Sequence, residues 1–398
     1  MTTPSVFRRL WQPPARFADR ARERRVSFLE LFFDLVFVVI VAQLAHHLAG
    51  DPSWETVGWF VFLFYAVWSS WVNGTLYYDL HGTNDMSVRV FTFAQMLTVA
   101  AIGVFIGDVP GVGDVGFALA YAANLMLLVI IWFRTGLHDP DHRPASNPYS
   151  AAYFLAALVF VASVNFDPPL RHWLWASALL VAIIGQVVAF HRWTPPESQG
   201  GDAVIATTPA LVERQGLFVI IVLGEVIVGA VTGMADLTPL DTGELVIGML
   251  GVLVAIGLWW IYFDLVSHRE PISRRTQLWS YLHFPLVAAI AAGGAGVLNT
   301  VEHAASPLPD EVRWLLVGAL AAAMLSVALL TFTLETRRDQ PEIYRTADTA
   351  IVISTVLALA VGLTGWGAKT TLGTLVVLIL FPVAMGTVVW LKRTAEPF

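Results

Sequence analysis

A chain of 398 residues with 57% hydrophobic and only 13% charged residues, and a mean hydropathy of +0.67, cannot cover itself with a water-soluble surface. Its net charge of -7 and isoelectric point near 5.8 exclude a nucleic-acid binder, which needs a basic face against the phosphates. The absence of cysteine removes disulfides, thiolate metal sites and cysteine nucleophiles, so any chemistry falls to carboxylates, histidines, arginines and hydroxyls.

The first 24 residues lack the apolar core and small-residue cleavage site of a secretory signal and read as an arginine-rich arm. Phe7, Leu10, Trp11 and Phe17 are interleaved with the arginines. The arm is therefore either a topology anchor or an interfacial helix on anionic lipid. Apolar runs long enough for about 30 Å of hydrocarbon follow at 27–49, 54–78, 88–107, 115–136, 149–165 and 171–191. A second set lies at 210–233, 244–266, 276–298, 312–333, 348–366 and 371–391. Of the 23 basic residues, Arg171, Arg313 and Lys369 alone fall in loops on one side and Arg214 at a membrane edge; the others lie on the opposite side. The positive-inside rule then implies both termini in the cytoplasm.

Three stretches match at nearly one offset. Phe91–Ile102 aligns with Trp279–Ile290, Tyr77-Tyr78-Asp79-Leu80 with Tyr262-Phe263-Asp264-Leu265, and Leu31-Phe32 with Leu217-Phe218, at separations of 185 to 188 residues. The fold class expected is all-α: a polytopic membrane helix bundle of about twelve transmembrane helices, built as a six-plus-six tandem duplication. The arm covers 1–24 and the repeats 25–195 and 196–398. Because six is even, the two copies share one orientation, as in transporters whose substrate sites lie between repeats.

Ionisable residues inside the runs are costly, at about 2.5–3.5 kcal/mol for a central charge on insertion scales, so each needs a partner or a role. Span one carries Glu30 and, one turn deeper on the same face, Asp34. Two readings stay open: they share a proton or cation, or they pair with Arg25, Arg89 or Arg214 to fix helix ends. Span seven carries Glu213 and Arg214 at its start and Glu225 twelve residues on, roughly 18 Å deeper. Glu225 is either a neutral acid bonded in a helix interface or a proton or cation site, with Gly216, Gly224 and Gly229 available for close backbone approach. His283 in span nine stands where the repeat places Gln95; it is a hydrogen-bonded core residue or a proton relay. Glu30, Asp34, Glu213, Arg214 and His283 are all expected to face the interior. His46 and His47 point about 100° apart and suit no common metal, and no metal-ligand spacing or cofactor motif occurs. Asp79 and Asp264 end spans two and eight beside aromatic belts.

The segment Glu30-Leu31-Phe32-Phe33-Asp34-Leu35-Val36-Phe37-Val38 resembles the signature of the bacterial low temperature requirement A family. Glu213-Arg214-Gln215-Gly216-Leu217-Phe218-Val219-Ile220-Ile221-Val222-Leu223-Gly224-Glu225 resembles its second motif. Trp259–Asp264 with Tyr281–Pro285 resembles its third block. The likeness runs over roughly residues 21 to 390. Members carry a histidine where this chain has Ala210, so no histidine role transfers there. The resemblance implies a multi-pass protein of the bacterial cytoplasmic membrane linked to growth in the cold. It implies no particular activity.

Intramembrane carboxylates in a duplicated bundle point to a transporter or ion pathway partnered by the bilayer and a small molecule or ion. In that reading Glu225 is the central proton or cation site, Glu30 and Asp34 give access, His283 relays and Arg214 is the counter-charge to Glu213 or Asp34. The alternative is a membrane-embedded enzyme acting on a lipid or isoprenoid with these carboxylates as general acid and base. A scaffold or sensor is the third reading, and it leaves the burial of Glu225 unexplained.

Overall fold

The computed structural model describes residues 12–16, 26–83, 85–192, 208–235, 241–304 and 306–395. The greater part of the arginine-rich arm, and the repeat boundary placed at 195/196, lie outside them. Among the described residues the secondary structure is helical: α1 Phe28–Gly50, α2 Trp54–His81, α3 Met86–Ile106, α4 Asp114–His138, α5 Arg143–Ser163, α6 Leu170–Arg192, α7 Pro209–Ala235, α8 Thr242–Leu265, α9 Thr276–Glu302, α10 Asp310–Thr331, the single turn α11 Thr336–Asp339, α12 Pro341–Gly362 and α13 Ala368–Ala395. No strand forms among them. One isolated bridge joins Pro271 to Leu334.

Eleven of these helices are long and apolar enough to cross a membrane. The exceptions are the single turn α11 and α2. The 28 residues of α2 reach roughly 42 Å at 1.5 Å per residue, but its second half carries Ser69, Ser70, Asn73, Thr75 and Asp79. All five are buried, and several polar groups are satisfied at once by the helix itself: Ser70 Oγ donates to Ala66 O at 3.3 Å and Asn73 Nδ2 to Ser69 O at 2.6 Å. The second half of α2 is buried almost throughout, and a segment enclosed by protein needs no apolar surface against lipid. The bundle is thus a polytopic all-α membrane fold.

Helix starts follow local chemistry. Asp85 caps α3 by accepting from Ser87 N, and Asp241 with Glu244 forms a capping box on α8. Thr208 precedes Pro209 at the start of α7, and its hydroxyl accepts from Leu211 N at 3.1 Å and donates to Asp79. The spans expected at 149–165 and 348–366 begin six or seven residues earlier, at Arg143 and Pro341, because each opens with a polar first turn that an apolar window omits.

The chain divides into two compact units, Met1–Gln43 with Tyr65–Leu211, and Leu44–Phe64 with Val212–Phe398. In the first, α3, α4, α5 and α6 pack in succession, around a core in which Trp175 and Phe160 stack with rings 6.0 Å apart and Phe117 and Tyr121 at 5.7 Å. In the second, α9, α10, α12 and α13 pack in succession and α13 returns onto α8. The end of α1 belongs here because Asn299 Nδ2 donates to Ala49 O at 2.8 Å, and the start of α2 because Phe64 meets Phe284.

Candidate functional site

The site centres on α7 where it crosses α9. Phe218, Val222, Val226, Gly229 and Gly233 put one buried stripe on α7. The Gly229–Gly233 spacing lets the backbones meet: a Cβ on Gly229 would stand 2.5 Å from Gly294 O, and one on Gly233 3.0 Å from Val301 Cβ. Gly224 takes no part. Nothing lies within 4 Å of where its Cβ would be, so the close approach beside Glu225 is made by Gly294 of α9 and by Gly229 one turn further on.

At this crossing Glu225 is 7% exposed, and its backbone carbonyl lies 2.9 Å from the Cβ position of Gly294. It stands roughly 24 Å along α7 from Pro209 and 15 Å from Ala235. Among the described residues its carboxylate has no hydrogen-bond or ion-pair partner. A carboxylate at that depth without a partner is stable as the neutral acid or with a cation bound.

His283 is wholly buried and doubly bonded. Its Nδ1 lies 2.8 Å from Trp279 O, which can only accept, so Nδ1 carries the hydrogen; in the neutral ring Nε2 then accepts from the Tyr262 hydroxyl at 3.1 Å. Eleven residues of α9 separate His283 from Gly294, the level of Glu225, or roughly 16 Å of rise. No proton passes directly between the two side chains over that distance. Arg214 is buried at the start of α7, whereas Glu213 is exposed, contrary to the expected interior position. Five residues into the helix, Glu213 lies near the membrane edge, where an outward carboxylate needs no protein partner.

Glu30 and Asp34 belong to the first unit, and both are buried. Glu30 Oε2 accepts from Ser27 N at 2.9 Å and Ser27 Oγ at 2.8 Å, while Ser27 Oγ accepts from Glu30 N at 3.3 Å. That is a capping box at the start of α1, visible in advance as Ser-x-x-Glu before an apolar run. Asp34 Oδ1 accepts from Trp71 Nε1 at 2.8 Å. Sequence reasoning also passed over Asp348, which pairs with Arg337 and accepts from Thr331 Oγ1 at 2.8 Å, and Asp114, which accepts from Arg171 at 3.2 Å and lies 2.8 Å from His172 Nε2. The signal available was an acid at the start of an apolar run, Asp114 or Asp348, with an arginine at or just beyond the edge of a neighbouring run, Arg171 or Arg337. Among the described residues no group of three or more histidines and carboxylates could hold a metal ion.

These features define a polytopic helical membrane protein with a carboxylate buried near mid-span. Residues 25–390 match the family model described as bacterial low temperature requirement A protein (LtrA), and the chain belongs to that family. It is 29% identical over 300 residues, 72% of each chain, to a protein of Rhizobium meliloti (strain 1021) described as uncharacterized. No solved structure matches.

Proposed function

We propose that the protein is a transporter or ion pathway of the bacterial cytoplasmic membrane in which Glu225 binds and releases a proton or small cation. The observation that carries this reading is the Glu225 carboxylate, buried at a helix crossing without a partner among the described residues. Glu30 and Asp34 accept hydrogen bonds from Ser27 and Trp71 and so have structural work that Glu225 lacks. The arginine distribution supports a cytoplasmic location for both termini, and the 185 to 188 residue offsets support two six-helix repeats in one orientation.

The test is flux through proteoliposomes that carry an imposed pH gradient, followed with an internal pH dye and a panel of monovalent and divalent cations. Glu225→Gln keeps the volume and the neutral hydrogen-bonding capacity of the acid, so it should insert and fold. Flux should fall at least tenfold and lose its pH dependence. Unchanged flux with unchanged pH dependence would make Glu225 structural and remove this reading.

A further inference from the structure

A second feature lies at the arginine-rich end of the second unit. A cavity of about 670 Å³ opens there between the end of α8, the start of α12 and the last turns of α13. Its volume falls in the range of sites that hold small organic groups. Ile261, Leu265, Ile343, Ala347 and Val383 make much of its wall apolar, and two opposite charges interrupt it, Asp264 and Arg269. Neither forms an ion pair with the other or with any described residue.

Both charges are held in place. Asp264 Oδ2 accepts from Trp260 Nε1 at 2.8 Å, which leaves its other oxygen for a second donor. Arg269 Nη1 donates to the Tyr344 hydroxyl at 2.6 Å, its guanidinium lies 5.5 Å from the Tyr344 ring centroid, and the Tyr344 hydroxyl reaches Leu265 O at 3.3 Å. The loop beyond is pinned, since Glu335 N donates to Glu270 O and Ile272 N to Thr333 O. Trp260 is partly exposed, as tryptophans are at the headgroup level.

We propose that this cavity binds a membrane phospholipid whose zwitterionic head bears a primary ammonium, of the phosphatidylethanolamine class. The guanidinium has further N–H donors in a planar fork suited to the phosphate. Asp264 accepts from the ammonium. The apolar wall meets the glycerol and the start of the acyl chains. An anionic head such as glycerol phosphate brings no cation to Asp264 and leaves that carboxylate facing a like charge. A quaternary head brings a cation without N–H donors. This inference stands apart from the Glu225 reading and uses no residue of that site.

The experiment takes the full-length protein, delipidated in detergent, and adds phosphatidylethanolamine, phosphatidylglycerol or phosphatidylcholine. Bound lipid is read by native mass spectrometry and thermal stabilisation is followed in parallel. The ethanolamine lipid should be retained at least tenfold more than either of the others. Asp264→Asn should bring it down to the level of phosphatidylglycerol, and Arg269→Gln should weaken all three. Gly386 lines the cavity and nothing lies within 4 Å of its Cβ position, so Gly386→Leu adds a side chain without a backbone clash and should exclude every lipid. Equal retention of the three lipids, an unchanged preference in Asp264→Asn, or full retention in Gly386→Leu overturns the proposal. Should Arg269→Gln fail to fold, the other two variants decide it.

Discussion

The Tyr262 hydroxyl lies 3.1 Å from His283 Nε2 and so joins the end of α8 to α9 inside the second unit. The first unit repeats the arrangement: the Tyr78 hydroxyl donates to Gln95 Oε1 at 3.0 Å and joins α2 to α3. Each tyrosine stands three residues before the last residue of its helix, His81 or Leu265. Gln95 and His283 are the pair that the 188-residue offset aligns. The two bonds are of one kind, although the 185-residue offset sets Tyr262 against Tyr77, the neighbour of Tyr78, and in each unit the position gives a buried hydroxyl its acceptor.

His283→Gln should therefore remain within about 1 kcal/mol of the wild type, because glutamine already serves that position in the other unit. His283→Leu should lose about 1–3 kcal/mol by leaving the Tyr262 hydroxyl without an acceptor. Thermal unfolding of the purified variants in one detergent reads the difference. A glutamine variant as damaged as the leucine one would show that the two positions are not equivalent.

The α7 glycines give a paired test of packing. Gly229→Ala puts a Cβ 2.5 Å from Gly294 O, so the helices must part, and overpacking of this kind costs about 1–3 kcal/mol. Gly224→Ala meets nothing within 4 Å and should be neutral or stabilising by up to about 1 kcal/mol through helix propensity. Equal melting temperatures for the two variants would contradict the crossing described above.

The apolar runs made most of the fold legible, since a membrane helix must be a long unbroken run whatever its neighbours are. What the runs could not show was direction around the helix. Gly224 precedes Glu225 in the chain but points about 100° away from it, and the close approach is made by Gly294 and Gly229. Glu213 was expected inside because an unpaired charge in hydrocarbon is costly, and its place about 100° around the helix from the buried Arg214 carries it outward. Pairings across long separations were also out of reach. Trp71 finds Asp34 from 37 residues away, and no local pattern encodes that. The capping role of Glu30 was local and legible, but its depth in the apolar run drew attention to charge instead of to Ser27.

That role makes Glu30 a control for Glu225. Glutamine at the third helical position still completes a capping box, so Glu30→Gln should fold within about 0.5 kcal/mol of the wild type and leave flux and its pH dependence intact. Glu30→Ala should lose about 1 kcal/mol without a change in pH dependence. A Glu30→Gln protein that folds normally and has lost pH-dependent flux would move the titrating site from α7 to α1.

The last prediction concerns acid stability and rests on His142, just ahead of α5. Its ring lies 4.4 Å from that of His81 and is stacked on Trp132 at 5.7 Å, and its Nδ1 is 2.8 Å from Ser146 Oγ. Burial, and then the neighbouring His81, push its pKa down to about 2. The unfolded chain takes up a proton near pH 6.5 that the folded protein refuses, so this histidine's contribution is fully present above pH 6.5 and falls away below it. The slope is about 1.4 kcal/mol per pH unit, or about 2 kcal/mol between pH 6.5 and 5. His142→Gln removes the titration and keeps a hydrogen-bonding group near Ser146, so its melting temperature should fall less than the wild type's over that interval. Parallel slopes for the two proteins would mean that His142 is protonated in the folded state and that its pairing with His81 does not exclude charge.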